Sequence, residues 1–466
     1  MRRTLGLADV TLFFVVAGSN LQWVAAAAST GPSSLIIWLL GGACMFVPLS
    51  IVVVFLAARY PDEGGLYVWS KRAFGPFAGF ISGWTYWTSN LPYFPALLYF
   101  MAGSVLYFYG GSAGWLSGSP LYFISVALAG LVLTTVLNIL GFDIEKWLNN
   151  VGAASRWGVT MLLIVLGVVA WRKFGFATPV NLATLRPGLH VTDLVFWSTI
   201  AFAWTGPEAI PLMSGEIRQP RRTIPLALAL AAPAIAVIYI FGTAAVLATL
   251  KPNDTNALYG VMQAISEAST RFGWTMITPV AAAFVMVSCL ASAGAWLGAV
   301  ARLPFVAGLD QYLPKGFGRM HPRFGSPVVA LVTQSAIAAI FIFLGQGGTS
   351  VRGAYNVLVS TTVISTLLPF LLLFASGFTL SAGPPREGDI RIPGGRFSIA
   401  TASMIGFLTT LGAVVLTLVP PSNEPNKPLA VAKIVGLTAV MLGSGIVFYA
   451  VAARRKRRLE AGGLAS

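Results

Sequence analysis

The chain predicts an all-α membrane protein with twelve transmembrane helices, and three observations predict it. Its 466 residues are 56% hydrophobic and only 10% charged, whereas soluble domains carry about 25% charged residues. Twelve windows reach the roughly 20 mostly apolar residues that a bilayer-spanning helix needs. The first and sixth of these windows are interrupted by glycine, proline and polar residues at corresponding places. That pairing predicts a 5+5 inverted repeat with discontinuous helices 1 and 6.

The windows lie near 9–29, 33–58, 76–109, 120–141, 149–171, 192–214, 225–250, 275–307, 327–345, 353–377, 399–420 and 429–452. The first runs straight into the second with no small-residue cleavage site, so it reads as a retained helix and not a signal peptide. The third and eighth are long enough to tilt or to run out past the bilayer. Short connections leave no large extramembrane domain, so residues 1–466 read as one transmembrane domain. Repeat one covers about 9–171 and repeat two about 192–377, with peripheral helices 11 and 12 over 399–452 and a basic tail over 453–466. Five helices per repeat, an odd number, invert the second copy, so the two breaks face each other near the midplane.

Thirty Lys and Arg against fifteen Asp and Glu give a formal charge of +15. In a soluble chain that excess would suggest nucleic-acid binding, but here topology explains it. With the amino terminus inside, about 21 of the basic residues fall on the inner side and 8 outside, and Arg156 is left within a span. The positive-inside rule then places both termini in the cytoplasm. The tail Arg454-Arg455-Lys456-Arg457-Arg458 reads as a stop against anionic lipid, and no nucleic-acid partner is expected. Cys44 and Cys289 both fall inside apolar runs, and His190 and His321 in loops, so a disulfide framework, a metal site and a bound cofactor are not expected.

The breaks carry the chemistry. The first contains Ala17, Gly18, Ser19 and Asn20; the second contains Ala203, Trp204, Thr205, Gly206, Pro207 and Glu208. In lipid, irregular backbone survives only where protein buries it or where it lines a water-filled cavity. A half-helix N-terminus favours a carboxylate and a half-helix C-terminus favours a cation. Two facing breaks therefore suit a zwitterionic α-amino acid better than a sugar or an inorganic ion. The plainer reading of these glycines is close helix packing.

Glu208 lies about six residues before the inner end of its window, at a depth of roughly 9 Å for a 1.5 Å rise. An intramembrane carboxylate marks a pathway by default, as a group that binds and releases a proton as access alternates or as a gate. Its alternative is a fixed salt bridge to a cytoplasmic arginine. Arg156 stays protonated, so it is either a fixed charge in place of a bound cation or a side chain snorkelling to the inner face. Asn90 and Trp296 are a polar group and a large amphipathic ring in apolar windows. Each lines the cavity, or else serves as an interhelical hydrogen bond and as ordinary packing, respectively.

Five stretches resemble the amino acid–polyamine–organocation superfamily of permeases. They are Ala17-Gly18-Ser19, then Pro61 through Trp69 with Phe74-Gly75, then Phe202 through Glu208 with the trailing Gly215 through Pro225. Ala301 through Asp310 with Leu313-Pro314 and Pro327, and lastly Ile392-Pro393-Gly394-Gly395, complete the set. Glu63-Gly64-Gly65 with Trp69, Pro95 and the Ile-Pro-Gly-Gly segment look most like the glutamate/γ-aminobutyrate antiporter branch. The resemblance implies the leucine-transporter fold, alternating access, and amino-acid or amine substrates. It also implies that Ser19 and Asn20 meet the substrate carboxylate, and the Ala203 and Thr205 carbonyls its amine. Asn90 matches a cavity-lining asparagine, Phe202 and Trp296 match aromatic gates, and Glu208 matches the family's helix 6 acid. Arg156 falls where some members carry a lysine taken to replace sodium. One departure is Asn20 in place of the family's second glycine in helix 1. Asparagine tolerates left-handed backbone better than most residues, so the break is expected to persist.

The expected function is therefore secondary-active amino-acid transport in the plasma (inner) membrane, sodium-independent, by exchange or proton coupling. The alternative is a polyamine or organic amine permease, which the lack of further acidic residues in the cavity set disfavours. No convergent set of histidines or cysteines suggests an enzyme. The expected partners are a small amino acid or amine, protons as candidate coupling ions, and the lipid bilayer. The oligomeric state and the particular substrate are not legible in the sequence.

Overall fold

The computed structural model describes residues 6–60, 64–109, 114–140, 142–188, 191–212, 217–306, 317, 321–322, 325–384, 390, 392–420 and 426–463. His190, the motif segments 61–63, 213–216 and 307–316, and the side chain of Ala17 lie outside that description. Within it the chain is helical: α1 Leu7–Gly18, α2 Leu21–Thr30, α3 Ser33–Gly41, α4 Val47–Arg59, α5 Leu66–Phe74, α6 Pro76–Thr88, α7 Asn90–Val105, α8 Pro120–Leu140 and α9 Phe142–Phe174. The order continues with α10 Leu182–Leu185, α11 Val191–Ala203, α12 Pro220–Thr249, α13 Gly260–Phe272, α14 Ile277–Val306, α15 Val328–Gln346, α16 Val351–Leu380, α17 Gly395–Thr417 and α18 Lys427–Gly463.

Ten stretches among the described residues are helices long and apolar enough to cross a membrane, where the sequence predicts twelve. The difference lies at the first and sixth windows. There the longest continuous helices have 12, 10 and 13 residues, in α1, α2 and α11. At a 1.5 Å rise each covers only about half of the hydrocarbon thickness. The chain between α1 and α2 is extended, with φ/ψ of −116/104° at Ser19 and −118/128° at Asn20. Asn20 thus keeps the break without any left-handed backbone, contrary to the expectation from its side chain. An extended residue needs no glycine. After α11 the helical ladder stops, Gly206 takes φ +139°, and Pro207–Leu212 continues as a 3-10 turn. Only glycine holds that φ without strain.

Other windows differ in their ends. The 76–109 window is two helices with Ser89 between them, finishing in a 3-10 turn over Leu106–Tyr109. Α π-helical turn over Gly42–Phe46 joins α3 to α4. The amphipathic α13 and the short α5 sit in stretches the apolar windows leave as connections. Their mixed faces carry too few consecutive apolar residues to register as spans.

The long helices pack through small residues, as helices do where lipid offers no hydrophobic driving force between them. The closest approach of a neighbouring backbone to a described glycine joins α9 to α12. A methyl group on Gly167 would sit 2.3 Å from Ala245 Cβ and 2.4 Å from its Cα. Backbone cannot yield as a flexible side chain can, so Gly167→Ala is expected to destabilise the fold by about 1–3 kcal/mol. A lowered melting temperature in detergent would register it. An unchanged melting curve would show that α9 and α12 separate without cost.

Candidate functional site

The two breaks meet at one hydroxyl. Tyr239, in the middle of α12, donates from its OH to Gly18 O at 2.5 Å and lies 3.3 Å from Ala203 O. The same oxygen accepts from the Asn20 N–H at 3.3 Å. One side chain thus pairs the last carbonyl of α1 and an N–H at the head of α2, and sits beside the last carbonyl of α11. These are backbone groups that a helix end leaves without partners. The ring is fixed by its surroundings. It stacks on Trp38 at 4.0 Å and 6°, and Trp204 meets it edge-on at 5.9 Å. Trp38 Nε1 donates to Thr243 Oγ1, and Trp204 Nε1 donates to Trp38 O.

Beside this junction lies a cavity of about 60 Å³. The first break gives it Asn20 and α2 gives it Trp23; the second break gives it Phe202, Ala203, Thr205, Gly206 and Glu208. The α6–α7 corner supplies Tyr86, Ser89, Asn90 and Tyr93; α14 supplies Trp296 and α16 supplies Thr362 and Thr366. Trp23 and Phe202 close one wall with an edge-to-face contact at 5.4 Å.

Glu208 is 5% exposed. Its Oε2 accepts from the Gly206 N–H at 2.6 Å and its Oε1 accepts from the Tyr86 hydroxyl at 3.4 Å. Among the described residues it forms no ion pair, so the geometry does not offer the cytoplasmic-arginine partner. Asn90 bonds within its own chain segment: Nδ2 donates to Tyr86 O at 2.8 Å, across the Ser89 corner.

Arg156 does not snorkel. Its guanidinium is buried and reaches from α9 to the first break, donating to Ser19 O at 3.2 Å. Its Nε donates to Ser288 Oγ at 3.2 Å, and Nη2 bonds Ser292 Oγ. These contacts lie around a separate, smaller cavity of about 10 Å³, shared with Asn20, Gln22 and Cys289.

Eight of the residues singled out from the sequence therefore line the main cavity: Asn20, Asn90, Phe202, Ala203, Thr205, Gly206, Glu208 and Trp296. Of the others, those whose side chains the structure describes do not line its wall. Ser19 turns its hydroxyl back to Val15 O at 2.5 Å, and Gly18 presents its carbonyl to Tyr239. Trp204 points away, into the packing between α3 and α12. Residues not singled out from the sequence include Tyr239, Trp23, Tyr86, Ser89, Tyr93, Thr362 and Thr366. A signal for most of them exists: Tyr86, Ser89, Asn90 and Tyr93 follow helical spacing, and Thr362 and Thr366 are four apart. Polar groups on one face of an apolar span point inward.

The profile of the amino acid permease family matches residues 5–440. The chain belongs to the amino acid permease family. It is similar to an uncharacterized transporter of Legionella pneumophila, 27% identical over 433 residues that cover 91% of this chain and 92% of the other. An uncharacterized transporter of Mycobacterium tuberculosis is 28% identical, over 99% of this chain and 94% of that one. A glutamate/serine transporter of Bacillus subtilis is 24% identical over 74% of this chain and 64% of its own length. Family and helices together make this permease a multi-pass membrane transporter and not an enzyme.

Proposed function

We propose that this permease is a secondary-active amino-acid transporter of the plasma (inner) membrane, independent of sodium, in which a substrate zwitterion bridges the two helix breaks. The junction of the breaks at Tyr239 is the observation that carries the reading. The head of α2 offers N–H groups and positive dipole charge to a carboxylate. The end of α11 at Ala203 offers carbonyls and negative dipole charge to an amine. The glutamate/serine transporter of Bacillus subtilis supports an amino-acid substrate over a polyamine. The sequence reading adds the inverted repeat, a single transport domain over 1–466, and both termini in the cytoplasm. Alternating access would then rock one repeat against the other, by exchange or with protons moving through Glu208.

Sodium independence follows from Arg156. Hard cations take oxygen ligands, and here a guanidinium already draws on the Ser19 carbonyl and the Ser288 and Ser292 hydroxyls. Uptake into proteoliposomes is expected to persist when choline replaces sodium. A steep sodium requirement would overturn the role given to Arg156. Failure of every amino acid to exchange would overturn the transport reading itself.

A further inference from the structure

We propose that the cavity selects small neutral amino acids of the alanine and serine class and discriminates against glutamate, an inference that rests on the amino-acid transporter reading above. Size is the first argument. The cavity holds about 60 Å³, and one water needs roughly 10–15 Å³ by the same measure. That leaves room for on the order of five water-sized atoms. The nitrogen, Cα and carboxylate of any α-amino acid already amount to about five such atoms, so the room favours the smallest side chains, a methyl or hydroxymethyl, over longer ones. The paired rings of Trp23 and Phe202 and the indole of Trp296 narrow the same space.

Charge is the second argument. Among the described lining residues Glu208 is the only charged one, and it is buried. A glutamate side chain would bring a second carboxyl group into a space whose described lining supplies no cation and already holds the carboxyl of Glu208, where desolvation makes charging both costly. Arg156 is not among the lining residues; its guanidinium lines the smaller cavity, which shares Asn20 with this one, and is already bonded to Ser19 O, Ser288 and Ser292. The remaining polarity is neutral. Ser89, Tyr93, Thr362 and Thr366 are among the lining residues; the Ser89 and Thr362 hydroxyls already donate to Tyr86 O and Leu358 O and keep lone pairs that a serine or threonine hydroxyl can donate to. A long basic side chain finds one carboxylate, but not the length of space to reach it.

The test is counterflow with the purified full-length chain in choline buffer. Proteoliposomes loaded with L-serine are offered labelled L-serine with L-alanine, L-glutamate, L-arginine or putrescine as competitor. L-Alanine is expected to inhibit at a concentration about tenfold or more below L-glutamate, as pocket-based discrimination typically gives. Thermal stabilisation of the purified protein should rank the same ligands without requiring turnover. Glutamate competing as well as alanine would overturn the selectivity and leave the transporter reading standing. Movement of putrescine with no amino acid competing would overturn both.

Discussion

Tyr239→Phe is expected to slow counterflow by roughly five- to a hundredfold while the protein still folds. The variant removes one oxygen from the point where both breaks converge. Gly18 O then loses its 2.5 Å donor, the Asn20 N–H loses its acceptor, and the contact with Ala203 O disappears. A buried polar group left without a partner costs about 1–3 kcal/mol, and each 1.4 kcal/mol is about tenfold in rate. That cost falls on the geometry of the breaks and not on the core, because the ring keeps its stack on Trp38 and its edge contact with Trp204. Initial counterflow rates and a melting curve on the same preparation separate the two. Rates within twofold of the parent would show that the hydroxyl does not set the break geometry.

Tyr239 also shows where sequence reading stops. Both breaks were legible, because glycine, proline and a carboxylate have no use in a continuous lipid-bathed helix. Glu208 and Arg156 were legible for the same reason: intramembrane charge is expensive and stands out against apolar neighbours. A tyrosine inside the apolar run Ile238-Tyr239-Ile240 does not stand out. Its role depends on which residues α12 faces, and that is a property of packing between segments some 220 residues apart, 221 in the case of Gly18. Trp204 is the opposite case. It sits in the middle of the broken segment, so sequence proximity points it to the cavity. Yet its indole is turned to Trp38 and Phe46, where its bulk and its N–H are both accommodated. Once helical hydrogen bonding stops, position along the chain no longer fixes the direction of a side chain. Ser19 illustrates the same point, with its carbonyl serving Arg156 and its hydroxyl returning to α1.

Glu208→Gln is expected to flatten the pH dependence of uptake while substrate binding stays measurable. Glutamine has the shape of the protonated acid and cannot ionise. Its carbonyl oxygen can still accept the Gly206 N–H, the shorter of the two contacts. Its amide nitrogen then faces the Tyr86 hydroxyl, which can rotate to accept, since a tyrosine oxygen serves as donor or acceptor. The local fold therefore survives, and the difference between the proteins reduces to one removable charge inside the cavity. If that charge carries the coupling, the parent's rate changes across the physiological pH range and the variant's does not. An imposed proton gradient would then drive accumulation only in the parent, while exchange continues in both. Thermal stabilisation by the substrate, read on both proteins, shows that the site is still occupied. A variant that keeps the parent's pH profile would remove Glu208 from the proton path and leave it a neutral role at the wall, holding Gly206 and Tyr86 in register.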